Sequence, residues 1–156
     1  MNYTIKIFKN SDLDIVRECN AIAESHHSKN GGILEFAAPA DESDYILCAI
    51  KYKEIIGYLC LKEYEIFKDS IYIESIATKK GYLNQGIAKN LLAYAISKCK
   101  KKYKKIIANV KKKNNASNEL FKSYFFKEFE MKKSDYIYLE FKEEQIDKNK
   151  AYELSL

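Results

Sequence analysis

Ile71-Tyr-Ile-Glu-Ser-Ile-Ala-Thr-Lys-Lys-Gly-Tyr-Leu-Asn-Gln-Gly-Ile-Ala-Lys-Asn-Leu-Leu-Ala-Tyr-Ala-Ile-Ser-Lys-Cys99 is the stretch on which the fold turns. Its first part, to Thr78, is β-branched and aromatic, and that composition predicts a strand. Its last part carries apolar residues at Ala88, Leu91, Leu92, Ala95, Ile96 and Cys99. That spacing is one face of a helix. The loop between holds Gly81 and Gly86 and no acidic residue. The first turn of a helix leaves main-chain N–H groups unpaired and carries partial positive charge. A glycine there lets an anion, above all a phosphate, approach the backbone. Lys79, Lys80 and Lys89 bracket the loop with further charge. An ordinary strand-to-helix connection, its glycines serving only local dihedrals, would read the same from the loop alone.

Working upstream, Tyr3 to Phe8 alternates as a strand. Asn10-Ser-Asp starts a helix, with Asp14 placed three residues after Ser11 as in a capping box. Leu13, Val16, Cys19, Ile22 and Ala23 give that helix one apolar face, out to about His26. Ser28 to Gly32 breaks the pattern, Ile33 to Ala38 is one more helical turn or irregular, and Pro39 to Ser43 is loop. Tyr45 to Ile50 and Ile55 to Leu61 are unbroken apolar runs joined by a polar turn, a hairpin of strands covered on both faces. Gly57 inside the second strand predicts a close backbone approach or a bulge.

Downstream, Lys98 to Lys105 is a lysine-rich helix end. Cations there complement the helix dipole, and a phosphate or nucleic-acid patch is the other reading. Ile106 to Val110 is a fifth strand and Lys111 to Asn115 a loop. A short helix from Ala116 or Ser117 carries Leu120, Phe121, Tyr124 and Phe125 on one face. Phe129 to Lys132 is a strand candidate, Ser134-Asp135 a turn, and Tyr136 to Phe141 a last alternating strand. The order is strand, helix, three strands, helix, strand, helix, two strands. It predicts an α/β or α+β sheet, with a parallel pair where a helix crosses over.

At 156 residues the chain is one domain by size. Lys plus Arg is 27 against 22 for Asp plus Glu, a formal charge of +5. That modest basic balance suits phosphate-bearing ligands, nucleic acid or acidic partners without choosing among them. No stretch reaches the roughly 20 apolar residues of a membrane span, and Met1-Asn-Tyr-Thr-Ile-Lys is not a signal peptide. Cys19, Cys48, Cys60 and Cys99 are scattered through apolar segments with no Cys-x-x-Cys pair. They read as small buried hydrophobes in a reducing cytoplasm, not as disulfides or metal ligands.

The segment Ile73 to Leu92 resembles the acetyl-CoA-binding motif of the GNAT superfamily of N-acetyltransferases. That family has a Gln/Arg-x-x-Gly-x-Gly/Ala loop after its fourth strand. Here the six positions are Leu83-Asn84-Gln85-Gly86-Ile87-Ala88, and Leu83 departs from the usual Gln or Arg. Val110 to Phe126 is similar to the family's Asn-x-x-Ala-x-x-Leu-Tyr-x-x-x-Gly-Phe segment, with Ser117, Phe121 and Phe125 at the Ala, Tyr and Gly positions. The resemblance implies a mixed, mostly antiparallel central sheet of about seven strands flanked by helices and splayed between strands 4 and 5. The resemblance runs from about Tyr3 to Phe141, a domain over 1–142; Lys142 to Leu156 is polar with no strong period, so 143–156 reads as a C-terminal tail or a loose helix.

The resemblance also implies acetyl transfer from acetyl-CoA to a primary amine of a small molecule, such as a polyamine or antibiotic, or of a protein or peptide. The cofactor would meet Ile76, Ala77, Thr78, Leu83, Asn84, Gln85, Gly86, Ile87, Ala88, Lys89, Asn114, Ser117 and Phe121. A lysine-type amine titrates near pH 10.4, so attack at neutral pH needs a base. Glu74 stands at the family's Glu-x-x-Ala position, as that base or as a binder of a cationic substrate. Backbone N–H groups of Ile76 and Thr78 would stabilise the thioester oxygen. Phe121 cannot serve as the general acid that the family's Tyr provides. Tyr124, one turn on, either replaces it or is a rim residue of the core. His26 and His27 fall where the family has its acceptor loop. Glu35, Asp41, Glu42 and Asp44 would attract a cationic acceptor or merely face water.

Two rival readings remain. One is a non-catalytic CoA-binding regulatory module of the same fold, prompted by Phe121 and Leu83. The other is a small nucleic-acid-binding domain, disfavoured because few aromatics interleave with the lysines. No membrane and no metal are expected, and a homodimer is left open.

Overall fold

The computed structural model describes residues 2–27, 39–65, 68–111, 114–129 and 136–142. In chain order the elements are β1 (Thr4–Lys9), α1 (Leu13–His27), α2 (Pro39–Glu42), β2 (Tyr45–Lys51), β3 (Glu54–Lys62), β4 (Ser70–Thr78), α3 (Ile87–Cys99), β5 (Lys105–Lys111), α4 (Asn115–Ser123), β6 (Phe126–Phe129) and β7 (Tyr136–Phe141). The strands form one seven-stranded sheet in the order β1-β2-β3-β4-β5-β7-β6. β4 and β5 run parallel, over Ser70–Ile73 and Lys105–Ala108. The pairs β1–β2, β2–β3, β5–β7 and β6–β7 are antiparallel. The mixed, mostly antiparallel sheet flanked by helices is thus the architecture expected. Registered β4–β5 pairs end at Ile73 and Ala108, while β4 runs on to Thr78.

The chain divides into two compact units, Met1–Lys62 with Ser75–Leu91, and Glu63–Glu74 with Leu92–Leu156. In the first, Val16, Cys19, Ile22 and Ala23 of α1 pack in one cluster with Ile46, Cys48, Ile55, Tyr58 and Cys60 of the hairpin. The unbroken apolar runs of β2 and β3 are buried along nearly their whole length, as strands covered on both faces must be. Register shifts by one residue between Ala49 and Ile50, a bulge opposite the segment carrying Gly57. Gly57 also permits a close approach: a Cβ there would lie 2.7 Å from Ile87 Cγ2, 3.3 Å from Leu91 Cδ1 and 3.4 Å from the Ala77 carbonyl oxygen. Both readings of this glycine hold together.

In the second unit β7 is sandwiched between β5 and β6. Phe121 of α4 meets Phe126 edge-on at 5.2 Å between ring centres, and Phe126 meets Phe141 at 5.7 Å. The sixth strand begins at Phe126, not at Phe129 as the sequence suggested. Phe125, at φ +70°, reverses the chain within one residue of the helix exit, so pairing starts at once.

Pro39 to Glu42, expected as loop, is one helical turn. Proline suits a first helical position because no intrahelical partner awaits its missing N–H. Here the Ser43 hydroxyl donates to the Ala40 carbonyl at 3.0 Å, and the Asn20 side-chain oxygen accepts from the Ala40 N–H at 3.3 Å. The readings of Ser28 to Gly32, Ile33 to Ala38 with Glu35, Ser134-Asp135 and the 143–156 tail fall outside the described residues, as does the side chain of His27.

All four cysteines are buried and free. The Sγ atoms of Cys19 and Cys48 lie 3.7 Å apart. Their hydrogen bond and then burial push the Cys19 thiol up, and burial pushes Cys99 up to about 12. A thiol raised in this way stays protonated through neutral pH and is a poor nucleophile. An aromatic disulfide reagent at pH 8 should therefore titrate no thiol in the native chain and four in urea; rapid native reaction would contradict this burial. Gly57→Ala should lower unfolding free energy by about 1–3 kcal/mol in urea titrations, because Ile87 is itself buried and cannot yield freely.

Candidate active site

The first unit carries the loop between β4 and α3. Gly81 (φ +97°), Asn84 (φ +60°) and Gly86 (φ +80°) all take the left-handed conformation that glycine and asparagine tolerate best. A Cβ built on Gly81 or Gly86 would meet nothing within 4 Å, so the main chain faces open space at both. The Gly86 carbonyl accepts from Asn90 N–H at 3.0 Å, which makes Gly86 the residue that caps α3. The N–H groups of Ile87, Ala88 and Lys89 then have no acceptor within their own helix. Ile87, 1% exposed, anchors this end of α3 in the core. Gln85 and Lys89 are exposed, as is Leu83 at 48%. Unpaired amides, positive partial charge, open space and no carboxylate in the loop form a cradle that fits the diphosphate of a nucleotide-like cofactor.

The loop is held at its entry by contacts that the sequence did not disclose. His26 Nε2 donates to the Thr78 carbonyl at 2.6 Å, and Lys80 Nζ donates to the Ser25 carbonyl at 2.6 Å. Lys79 pairs with the Glu54 carboxylate, which holds its ammonium above the usual lysine range. Lys79 N–H donates to the Ile56 carbonyl at 2.8 Å. Of the three lysines expected to bracket the loop, Lys79 and Lys80 are thus engaged by protein partners. Ile76 and Thr78, the expected oxyanion donors, and Ala77 between them lead directly into these tethers.

The second unit carries Glu74, half-buried on β4. The Tyr64 hydroxyl donates to its carboxylate, and the Tyr64 ring meets Tyr72 edge-on at 4.8 Å between centres. Tyr72 and Glu74, two residues apart, share a sheet face, as strand alternation requires. Burial first, then the Glu74 carboxylate, pushes the Tyr64 hydroxyl up, so it stays protonated and donates. Tyr64 lies between β3 and β4, in a stretch without apolar periodicity to single it out. Asn109, half-buried on β5, was also missed; it sat inside a run read purely as strand.

Asn114 caps α4: its side-chain oxygen accepts from Ser117 N–H at 3.1 Å, and its carbonyl accepts from the Asn118 side chain at 2.9 Å. Phe121 is 2% exposed and faces the aromatic cluster. Tyr124, half-buried, terminates α4 with its N–H donating to the Phe121 carbonyl at 3.0 Å. Phe125 occupies, at φ +70°, the position where the resemblance expects glycine; the backbone there keeps the glycine-like conformation despite the side chain. Among the described residues no group of three or more His, Cys, Asp or Glu side chains could hold a metal ion. No described helix is long and apolar enough to cross a membrane.

Residues 13–125 match the model of the acetyltransferase (GNAT) family. The PaiA N-acetyltransferase of Thermoplasma acidophilum, solved in complex with coenzyme A, superposes with TM-score 0.69 at 17% identity over 91% of this chain and 99% of that one. An N-acetyltransferase of Staphylococcus aureus Mu50 gives 0.66 at 18% identity, over 90% and 96%. Ard1 of Thermoplasma volcanium gives 0.66 at 14% identity, over 90% and 96%. At such identities these structures speak for the fold. No curated protein matches the chain. Asn114→Ala should cost about 1 kcal/mol of stability in denaturant titrations, the usual loss when a side chain stops capping a helix.

Proposed function

The chain belongs to the acetyltransferase (GNAT) family, whose acyl donor is acetyl-CoA, and on that premise we propose that it acetylates a primary amine of a small molecule or peptide. The observation that carries this reading is the open main-chain cradle at Gly86, with the α3 amides behind it. Leu83, Asn84, Gln85, Gly86, Ile87, Ala88 and Lys89 would hold the diphosphate of the cofactor. Asn114 and Ser117 would line its arm, with the buried Phe121 ring packed behind them. Bound acetyl-CoA supplies an activated thioester carbonyl and a thiol leaving group.

The chain's own contribution is positioning and proton transfer. Glu74 takes the proton from the acceptor nitrogen, directly or through a water, since only the neutral amine attacks. The N–H groups of Ile76 and Thr78 serve the carbonyl oxygen where negative charge develops. Tyr124 Oη, or solvent, supplies the proton that the departing thiolate needs. The four buried free thiols support a cytoplasmic setting. The working domain is 1–142 with 143–156 as a tail, acting without nucleic acid or membrane. A second reading, a CoA-binding regulatory module without turnover, draws on Phe121, which lacks a hydroxyl and is buried.

Acetyl-CoA should raise the melting temperature, and an amine panel should give acetyl-CoA-dependent thiol release. Glu74→Gln should reduce kcat/KM about 10²–10⁴-fold at neutral pH while keeping the cofactor's melting shift. Gly86→Asp should abolish both shift and turnover. Cofactor binding with no turnover on any amine would favour the regulatory module; no melting shift and no heat would end both readings.

A further inference from the structure

One face of the sheet in the second unit gathers aromatic rings and hydrogen-bond acceptors. Tyr72 is in register with Ile107, so Tyr72, Glu74, Ile107 and Asn109 lie on one side of β4 and β5 by strand alternation. Asn109 is in register with Tyr138 of β7, which brings Tyr138 to the same side. Tyr64 lies over this side, its ring on Tyr72 and its hydroxyl on Glu74. Burial, then the Tyr138 phenol and the Glu74 carboxylate, push the Tyr72 hydroxyl up. Asn109 Oδ1 is buried and has no hydrogen-bond partner. A buried acceptor without a donor is destabilising, so this one asks for an explanation.

We propose that this face is the acceptor subsite, and that it takes an alkylammonium group with Asn109 and Tyr64 as specificity and positioning residues. The proposal rests on the reading of the chain as an amine acetyltransferase. An alkylammonium has three donors and no acceptor, and the face offers the complement. The Glu74 carboxylate, the Asn109 amide oxygen and the tyrosine hydroxyl oxygens all accept. The terminal amide torsion of asparagine is broad, so Oδ1 turns readily toward an arriving donor. Ring faces of tyrosine add cation–π attraction. Tyr64 holds the Glu74 carboxylate in one rotamer, and the charge of that carboxylate disfavours anionic acceptors. A neutral arylamine would forfeit both the charge and the third donor. A polyamine and a peptide lysine present the same group, and the experiment separates them.

The test is calorimetric titration of the full chain, without acetyl-CoA, with spermidine, Nα-acetyl-lysine amide and aniline as probes. Spermidine or the lysine amide should bind and aniline should not, and whichever alkylammonium binds identifies the source. Tyr64→Phe and Asn109→Leu should each weaken that binding by about tenfold, the scale of one hydrogen bond to a charged group. In turnover both should raise KM for the amine more than they lower kcat, with KM for acetyl-CoA unchanged. Asn109→Leu should melt no lower than the parent, because it removes an orphaned acceptor. Should that variant fail to fold, Tyr64→Phe carries the test alone. Unchanged amine affinity in the folded variants, or preference for aniline, would overturn the proposal. An intact acetyl-CoA melting shift in the same samples leaves the family reaction standing, so the two failures are distinguishable.

Discussion

The approach of α3 to β3 over Gly57 is the constraint from which the cradle follows. Ile87 and Leu91 settle where any side chain at position 57 would collide, 2.7 Å and 3.3 Å from its Cβ. Ile87 is the first residue of α3, so seating it fixes the helix start itself. The amides of Ile87, Ala88 and Lys89 gain a defined direction only because the side chain beneath them is locked. Hydrophobic burial on one side of the first turn thereby aims hydrogen-bond donors on the other.

Polar tethers complete what packing begins. The Thr78 carbonyl accepts from His26, Lys80 donates to Ser25, and Lys79 pairs with Glu54. All three link the exit of β4 to elements distant in sequence. Exposed ion pairs contribute little stability on their own, and their value here is geometric. They fix where β4 stops and the loop begins, so three left-handed residues can be strung within a few positions of one another without the loop collapsing.

Much of this was legible beforehand. The strand-loop-helix signature between Ile71 and Cys99 carries its own periodicities, and the runs of β2 and β3 are too apolar to be anything but covered strands. Gly57 announced a close contact because glycine inside a strand has few other uses. The sixth strand was misplaced because its onset depends on a dihedral at Phe125, which residue type conceals. The helical turn at Pro39 depends on a hydrogen bond from Ala40 N–H to Asn20, 20 residues away in sequence, and on one from the Ser43 hydroxyl. The tyrosine at 64 and the asparagine at 109 were invisible as site residues for a related reason. Their significance lies in what lies across the sheet, and a single sequence does not display cross-strand neighbours.

The reversal at Phe125 has a mechanical consequence. A bulky residue in this region of dihedral space is strained by about 1–3 kcal/mol, and it persists because both of its peptide groups are pinned. Its N–H reaches the Lys122 carbonyl at 3.2 Å, and its carbonyl receives the Lys142 N–H at 3.0 Å. The first bond closes the turn that leaves α4, and the second ties the end of β7 to it. Unfastening either one would let the backbone spring toward an extended conformation and carry β6 out of step with its neighbour, so the edge of this sheet is latched by a single wound residue.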